Sequence, residues 1–398
     1  MPFPKFDDGD VEIQLSLNES HCYKLHSFVL ALHSPFFKAS LSEKWNRGNS
    51  SSPSASSPKC WAYELRFTKG TSEGILVRKS EEDTSSELID LTAENIYQER
   101  RFIHAHEEFL ALFYNKPLGW DMKKYYQYAG RIEALLDVGD MYGGLQLVTN
   151  PIEKELLYGQ GSVLQVCASE PSLIMNLAMR LKCKWLYREA ATHLLGRSDH
   201  SFEQQLIRLK TSESSEGIAV MLTQRRKDFV NELRGAEHKL MMIAPKDDGR
   251  WSSIAVAFFR QRLALRISTL YEGSGLDSGY AKLYHDISKK MVVASHTITR
   301  QEMQAQLRLL DLPVSEENLK RFDEALTRIL LEAAGVLKSG ILINNARKPI
   351  DVADAHRALT FCLPRETQYP WMLKEGGCSM TCILSEDEGG SDDDEDGF

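Results

Sequence analysis

The chain has 398 residues, of which 42% are hydrophobic and 26% are charged, a composition typical of a folded globular protein with room for two or three domains. Its formal net charge of -8 reflects a run of eight acids with no base among them near the end of the chain, and without these eight the 56 acids fall to 48, equal to the 48 Lys and Arg. Because nucleic-acid binding draws on concentrated Lys and Arg, we expect no nucleic-acid partner for this neutral body. The eight acids are Glu386, Asp387, Glu388, Asp392, Asp393, Asp394, Glu395 and Asp396.

The beginning of the chain and its cysteines indicate a compartment. The first ten residues, MPFPKFDDGD, carry acids where a secretory signal has a basic region and an apolar core, and no later apolar run approaches the ~20 residues that span a bilayer. Seven cysteines, an odd number at scattered positions, do not form a disulfide framework and fit a reducing environment. We therefore expect an intracellular protein, cytoplasmic, nuclear or both, with no membrane partner.

The first hundred residues predict short strands and two short helices. Residues 11–17 (VEIQLSL) alternate apolar and polar side chains at a period of two, which is typical of a half-buried strand, and residues 22–26 predict a second strand. Two short helices follow, and Ser34 before Pro35 suits the start of the second. Residues 46–58 (NRGNSSSPSASSP) predict a solvated, flexible insertion, and strand-like segments return at 61–67, 74–80 and 87–92.

Helical periodicity begins near Glu99 and dominates the rest of the chain. Two long helices are predicted from single apolar stripes, the first at 217–243, where Arg225 interrupts the stripe, and the second at 315–342, where Ser315 can cap the helix. Residues 376–398 predict a disordered acidic tail. The first stripe consists of Ile218, Leu222, Phe229, Leu233, Ala236 and Leu240, and the second of Leu319, Phe322, Leu326, Ile329 and Ala333.

Candidate chemical residues are few. A catalytic His26 would need a nucleophile and an orienting acid, and the sequence has no Gly-rich nucleophile elbow, phosphate loop or His-Glu-x-x-His helix. Residues of types that zinc prefers, Cys362, Cys378, Cys382 and His356, occur near the end, but the spacing CSMTC is not that of common zinc modules. We interpret His26 as structural and the thiols as unliganded, and predict no catalytic residue, metal or cofactor.

Two stretches carry a family resemblance. DVEIQL followed by YKLHSFVLALHSPFFKASL resembles the start of a BTB/POZ domain, in which an Asp-Val strand precedes a hairpin, a histidine opens the first helix and a Ser-x-aromatic-Phe sequence opens the second. HEEFLALFYNKPLGWD is similar to the helix and short strand that carry the family's Phe-x-x-Leu-Leu-x-x-Tyr pattern, and IEALLDVGDMYGG is similar to the closing helices with their Ala-Asp-x-Tyr motif. The amino-acid sequence of these stretches, together with the Ser-rich insertion, resembles fungal BTB proteins of unassigned role.

The resemblance implies an α+β fold for residues 8–157 and assigns structural or interaction roles to nine positions. It also implies helical hairpins after the domain, at 158–200, and an all-helical C-terminal domain is expected at 201–375. In the family, the histidine and the serine hold the helical hairpin on the sheet while two aromatic residues fill the core. The nine positions are Asp10, His26, Ser34, Phe36, Phe37, Phe109, Tyr114, Asp140 and Tyr142.

The function that the resemblance implies is a non-enzymatic protein-interaction module, a substrate adaptor for a cullin ubiquitin ligase. Two alternatives remain open at this point. The C-terminal helices could act alone as a scaffold or a transcription-associated regulator, or the helical half could hold an enzyme site with no familiar motif. We expect no domain-swapped homodimer of the family type, because only nine residues, MPFPKFDDG, precede Asp10 and they are poor in helix formers.

Overall fold

The structure is a computed structural model, and it describes residues 6–42, 61–67, 74–79, 97–197, 199–210, 216–246, 249–272, 279–289, 299–347, 359–363 and 369–373. The insertion at 46–58, the strand at 87–92 and the acidic tail at 376–398, all expected from the sequence, lie outside these residues. The chain divides into two compact units, Met1–Val163 and Leu164–Phe398.

The described part of the N-terminal unit contains a mixed sheet of four strands. These are β1 (Val11–Gln14), β2 (Cys22–Leu25), β3 (Trp61–Phe67) and β4 (Gly74–Arg78), in the order β2-β1-β3-β4. Strand β1 pairs antiparallel with β2 and parallel with β3, and β3 pairs antiparallel with β4. Val11 and Ile13 are fully buried while Glu12 is exposed, so one face of β1 packs on the core, as its period-two pattern predicts.

Strand β1 ends at Gln14, three residues before the end that the sequence pattern predicts. A turn begins there, because the Ser16 hydroxyl accepts a hydrogen bond from the Asn18 amide at 3.1 Å and lies 2.8 Å from His21 Nδ1. The Asn18 side chain in turn accepts from the Ser20 amide at 2.9 Å. Side chains that bond to nearby backbone in this way compete with strand pairing. The alternation of apolar and polar residues does not show this competition, so it predicts a strand that is too long.

Five helices complete the core of the N-terminal unit in its described residues. They are α1 (Ser27–His33), α2 (Pro35–Ser40), α3 (Tyr97–Leu112), α4 (Tyr125–Met141) and α5 (Leu145–Tyr158). The predicted start of α2 is confirmed, because Ser34 accepts from the Phe37 amide at 3.3 Å and Pro35 takes the first helical position.

The short strand expected after α3 does not form in residues 113–121, and that prediction was wrong. Asn115 adopts a left-handed conformation with φ 54°, and the Lys116 amide bonds back to the Ala111 carbonyl at 3.2 Å. Pro117 follows and has no amide to donate to a sheet. The chain therefore closes helix α3 with a turn and continues without strand pairing.

The second unit is mostly helical. Helix α6 (Gln160–Ser169) begins before the boundary between the units and ends after it. The helices that follow are α7 (Pro171–Leu181), α8 (Lys184–Leu195), α9 (Asp199–Lys210), α10 (Glu216–Met241), α11 (Arg250–Glu272), α12 (Gly279–Ser288), α13 (Arg300–Leu309), α14 (Glu316–Lys338) and the short α15 (Pro370–Leu373). A small N-terminal mixed sheet followed by a mostly helical region is thus the fold class, as the sequence predicts at this level of detail.

Both apolar stripes predicted for the long helices are buried. Every residue of the stripe on α10 and of the stripe on α14 is buried, and Ser315 caps α14 by accepting from the Asn318 amide at 3.2 Å. Residues 359–363 depart from the all-helical region expected at 201–375, because they belong to no helix or strand. In the part of the chain that the structure describes, we find no helix that combines the length and the apolar character needed to cross a membrane.

Candidate interaction surface on the N-terminal unit

Tyr142 connects three elements of the N-terminal unit. It stands at the end of α4, where its hydroxyl accepts a hydrogen bond from the Leu76 amide of β4 at 2.8 Å and lies 2.9 Å from His106 Nε2 of α3. Its carbonyl accepts from the Ser34 hydroxyl at 2.7 Å. Ser34 therefore caps α2 with one lone pair and fixes α2 to the end of α4 with its proton.

These contacts select one form of the fully buried His106. Nδ1 lies 2.8 Å from the Phe102 carbonyl, which can only accept, so Nδ1 carries the proton and Nε2 accepts from the Tyr142 hydroxyl. Burial lowers the pKa of His106 to about 4 and raises that of the Tyr142 hydroxyl above its ordinary value. Both groups are consequently neutral and fully paired near pH 7.

Aromatic side chains surround the Tyr142 ring. Phe37 and Phe109 are fully buried and stack on it with ring centroids 6.0 and 5.7 Å away, while Phe36 is half-buried and tilted at 4.9 Å. Phe113 packs edge-on against Phe109 at 5.1 Å. The sequence predicts this role for the aromatic pair in α2, and the contacts place Phe37 at its centre and Phe36 at its margin.

A second group of contacts holds the start of α1. The His26 amide donates to the Tyr114 hydroxyl at 2.9 Å, and the two ring nitrogens of His26 lie 3.2 Å from that hydroxyl and 3.2 Å from Asp8 Oδ1. His26 occupies the N-cap position but makes no capping bond with its side chain. Asp10 supplies the cap from β1, because its carboxylate accepts from the Ser27 amide at 2.6 Å and from the Ser27 hydroxyl at 2.5 Å.

Asp8, the acid beside His26, is exposed, and its carboxylate forms a hydrogen bond with the His26 ring. The hydrogen bond from His26 lowers the pKa of Asp8, so the carboxylate stays charged at lower pH than an isolated one. Phe6 packs against the rings of His26 and Tyr114 at 4.8 and 4.7 Å. The bonds of His26 join the start of α1 to Tyr114 and to Asp8, which favours the structural role proposed for it.

The nine positions that the resemblance singles out thus fall into two groups and one outlier. The first group holds α1 to the sheet and to α3: Asp10, His26 and Tyr114. The second forms the core below α2: Ser34, Phe36, Phe37, Phe109 and Tyr142. Asp140 has an exposed side chain and belongs to neither group.

The outer face of α1 presents large apolar side chains. Phe28 is 75% exposed and Leu32 is 64% exposed, and a spacing of four residues places them on the same side of the helix. Leu30, between them in sequence, is fully buried against the unit's own core. Phe28 and Leu32 belong to the helical pattern of the sequence. The sequence does not show that they face outward, because an apolar stripe on a helix has the same pattern whether it is buried or exposed. We call Phe28 and Leu32 the α1 apolar face.

The other side chains of types that bind metals lie apart from one another. Two histidines, His104 and His106, are close in sequence, but His104 is exposed beside Glu107, with Nδ1 3.5 Å from its carboxylate, whereas His106 is buried, so the two share no site. Cys362 is buried, and the other residues of the zinc set considered above lie outside the described part of the chain. Within the described residues, no three His, Cys, Asp or Glu side chains lie together in a way that could hold a metal ion.

Comparison of the chain with family models, with curated proteins and with solved structures found no match in any of the three.

Proposed function

We propose that the protein is a non-enzymatic interaction protein whose N-terminal unit is a BTB/POZ-like module that binds a partner through the α1 apolar face. The order of elements supports this proposal, since a strand pair leads into the α1–α2 hairpin and a helical pair closes the unit. The hydrogen bonds made by His26 and Ser34 also support it, since these residues hold the hairpin in the way that the family resemblance implies.

The observation that carries the proposal is the combination of exposure and rigidity on α1. Large apolar side chains that stand exposed on a helix lose favourable burial, and a cluster of them typically marks a contact surface. Phe28 and Leu32 do so on a helix whose two ends are fixed, by Asp10 at the start and by Ser34 at the end. A preorganised apolar surface binds a partner at a lower entropic cost than a mobile one.

The partner class is proposed from the resemblance. An adaptor of this family brings a client protein to a cullin scaffold of a ubiquitin ligase, and we propose the same division here, with the N-terminal unit on the scaffold and the helical unit on the client. Specific interfaces bury on the order of 800 Å² on each partner. The two side chains of the α1 apolar face are therefore expected to form one part of such an interface and not the whole of it.

Affinity purification of the full chain, with quantitative mass spectrometry, tests the proposal. The double variant Phe28→Ser and Leu32→Ser removes apolar area only from exposed positions, so the fold should persist. We expect one or more partners, a cullin among them, to fall at least tenfold in the eluate. Ile207→Ser, at another exposed apolar position, is the matched control and should leave recovery unchanged. Unchanged recovery of every partner with the double variant would refute the proposal.

A second candidate function, a helical scaffold that acts through the C-terminal helices, is favoured by one observation. Leu309 is 79% exposed at the end of α13, and Leu310 and Val314 are exposed in the turn that leads to α14. Leu309→Ser in the same purification separates the two functions. Loss of every partner with this variant, together with retention of every partner by the α1 double variant, would assign binding to the helical unit alone.

A further inference from the structure

Residues 359–363 (LTFCL) belong to no helix or strand and are bound in the second unit by groups from separate elements. Leu359, Thr360, Phe361 and Cys362 are all buried, although none of them belongs to a helix or pairs in a sheet. The surface that receives them is formed by helices α8 and α10 and by Asn344 and Asn345, which follow α14. We call this surface the α8–α10 groove.

The groove binds the backbone of this segment. The Leu359 amide donates to the Gly196 carbonyl at 3.1 Å, at the end of α8. The Asn345 amide donates to the Thr360 carbonyl at 3.1 Å, and the Asn345 side-chain amide donates to the Phe361 carbonyl at 2.5 Å. Such contacts bind the backbone of a peptide and do not depend on most of its side chains.

Arg225 completes this binding and explains why a charged residue interrupts the apolar stripe of α10. Its Nε donates to the Leu363 carbonyl at 2.9 Å, and its Nη1 donates to the Asp228 carboxylate at 2.9 Å. The ion pair holds the guanidinium in the orientation that reaches the carbonyl.

Two side chains of the segment make specific contacts with the groove. The Phe361 ring stacks on Phe229 of α10 with centroids 4.7 Å apart and planes 17° apart. The Thr360 hydroxyl donates to the Asn344 side chain at 2.7 Å. The guanidinium of Arg226 lies 4.5 Å from the centroid of the same Phe229 ring. The groove thus has one aromatic pocket and one polar contact beside it.

The Gly196 position fits a close approach of this segment. A Cβ atom there would lie 1.9 Å from the Leu359 carbonyl oxygen, a distance that no side chain allows. The φ of Gly196 is −81°, which any residue can adopt, so the steric approach of the segment, and not the backbone conformation, is what requires glycine.

We infer that the α8–α10 groove is a peptide-binding site, that segment 359–363 occupies it in cis, and that a partner protein displaces the segment with a peptide of its own. The contacts define the peptide that the groove accepts. It carries one aromatic residue, has a small hydroxyl residue immediately before the aromatic, and is apolar on both sides of this pair. The segment therefore competes with the partner for the groove, and its release is the event that partner binding requires.

Cys362 provides a reporter for this release in the wild-type chain. Its thiol is buried, and burial raises its pKa to about 11, so alkylation is slow while the segment is bound. Cys167 of α6 and Cys183 at the start of α8 are also buried and report unfolding of their own helices. The rate at which Cys362 reacts, relative to these two, measures local opening of the segment.

The test adds a peptide of residues 357–364 (RALTFCLP), with Cys362→Ser, to the full chain and follows iodoacetamide labelling of each cysteine by mass spectrometry. We expect the labelling rate of Cys362 to rise with peptide concentration, about tenfold when the peptide is at ~10 times its dissociation constant, because the peptide traps the opened state. The rates of Cys167 and Cys183 should not change. A control peptide that also carries Phe361→Ala should have no effect.

Two results would overturn the inference. If Cys362 reacts no faster than Cys167 and Cys183 and ignores the peptide, segment 359–363 is a fixed part of the core of the second unit. If Cys362 labelling instead depends on protein concentration, and sedimentation shows a dimer that forms in parallel, the groove exchanges segments between copies of this chain and is not a site for a partner.

Discussion

At the scale of single residues, the polar contacts of the N-terminal core require one protonation state of His106. The folded pKa is about 4 and the ordinary value is 6.5, so the unfolded chain binds this proton more readily. The resulting stability is fully present above pH 6.5 and is lost as the pH falls from 6.5 toward 4. The loss is about 3 kcal/mol, since each pKa unit corresponds to ~1.4 kcal/mol.

We predict that His106→Gln flattens this pH dependence. Glutamine can still accept from the Tyr142 hydroxyl but does not titrate, so the N-terminal unit should lose less stability between pH 7 and pH 4.5 than the wild type. Hydrogen exchange of the α3 backbone amides at the two pH values measures the change. His104→Gln, on the exposed side of the same helix, is the control. An equal pH dependence in the His106 variant and the wild type would show that another group is responsible.

The two phenylalanines of α2 should differ in their contribution to stability. Phe37 is fully buried against Tyr142 and Phe113, so Phe37→Ala should lower the free energy of unfolding by ~3–5 kcal/mol. Phe36 is half-buried, and Phe36→Ala should cost clearly less. Denaturant unfolding followed by exchange of the α3 amides separates the two. Equal costs would mean that Phe37 is not the centre of this core.

At the scale of elements, the adjacent arginines of α10 are used within the unit itself. Arg225 donates to the Leu363 carbonyl, and Arg226, which is buried, donates to the Leu195 carbonyl at the end of α8. Both guanidinium groups therefore bind backbone carbonyls. A basic sequence such as QRRK does not reveal this, because charge alone does not say whether an arginine faces solvent or a buried peptide group.

We predict that Gly196→Ala loosens segment 359–363 while the helices remain folded. The added methyl group would collide with the Leu359 carbonyl, so Cys362 should become alkylated faster while Cys167 keeps its wild-type rate. Gly235→Ala is the matched control, because a Cβ at Gly235 meets nothing within 4 Å and alanine in a helix is favoured by about 0.5–1 kcal/mol. An unchanged Cys362 rate in the Gly196 variant would mean that the close approach is not needed to hold the segment.

Sequence patterns predicted the elements whose signal is local. The Ser34-Pro35 start of α2 and the long stripes of α10 and α14 depend on capping chemistry and on the helical period, both of which are visible in the chain itself. The buried segment 359–363 was missed because the groups that hold it, such as Arg225 and Asn345, are distant in sequence. The outward direction of Phe28 was missed for a related reason, since tertiary packing decides which side of α1 is buried.

At the scale of the whole molecule, the two units suggest two different modes of interaction. The N-terminal unit presents the side chains of Phe28 and Leu32 on a helix with fixed ends. The second unit binds segment 359–363 of its own chain. The first mode offers a constant surface, whereas the second depends on release of an occupant. An adaptor that joins two proteins would use both, with one partner bound constitutively and the other under competition.

The most direct test of the central claim places a photo-crosslinking amino acid at single exposed positions of the full chain in its native cell. With benzoylphenylalanine at Phe28 or Leu32, we predict covalent adducts to the same partner, identified by mass spectrometry. The same substitution at Ile207 should give none, and this position is equally exposed at 64%, as is Leu32. Adducts that form at Leu309 but at neither Phe28 nor Leu32 would contradict the account and assign partner binding to the helical unit.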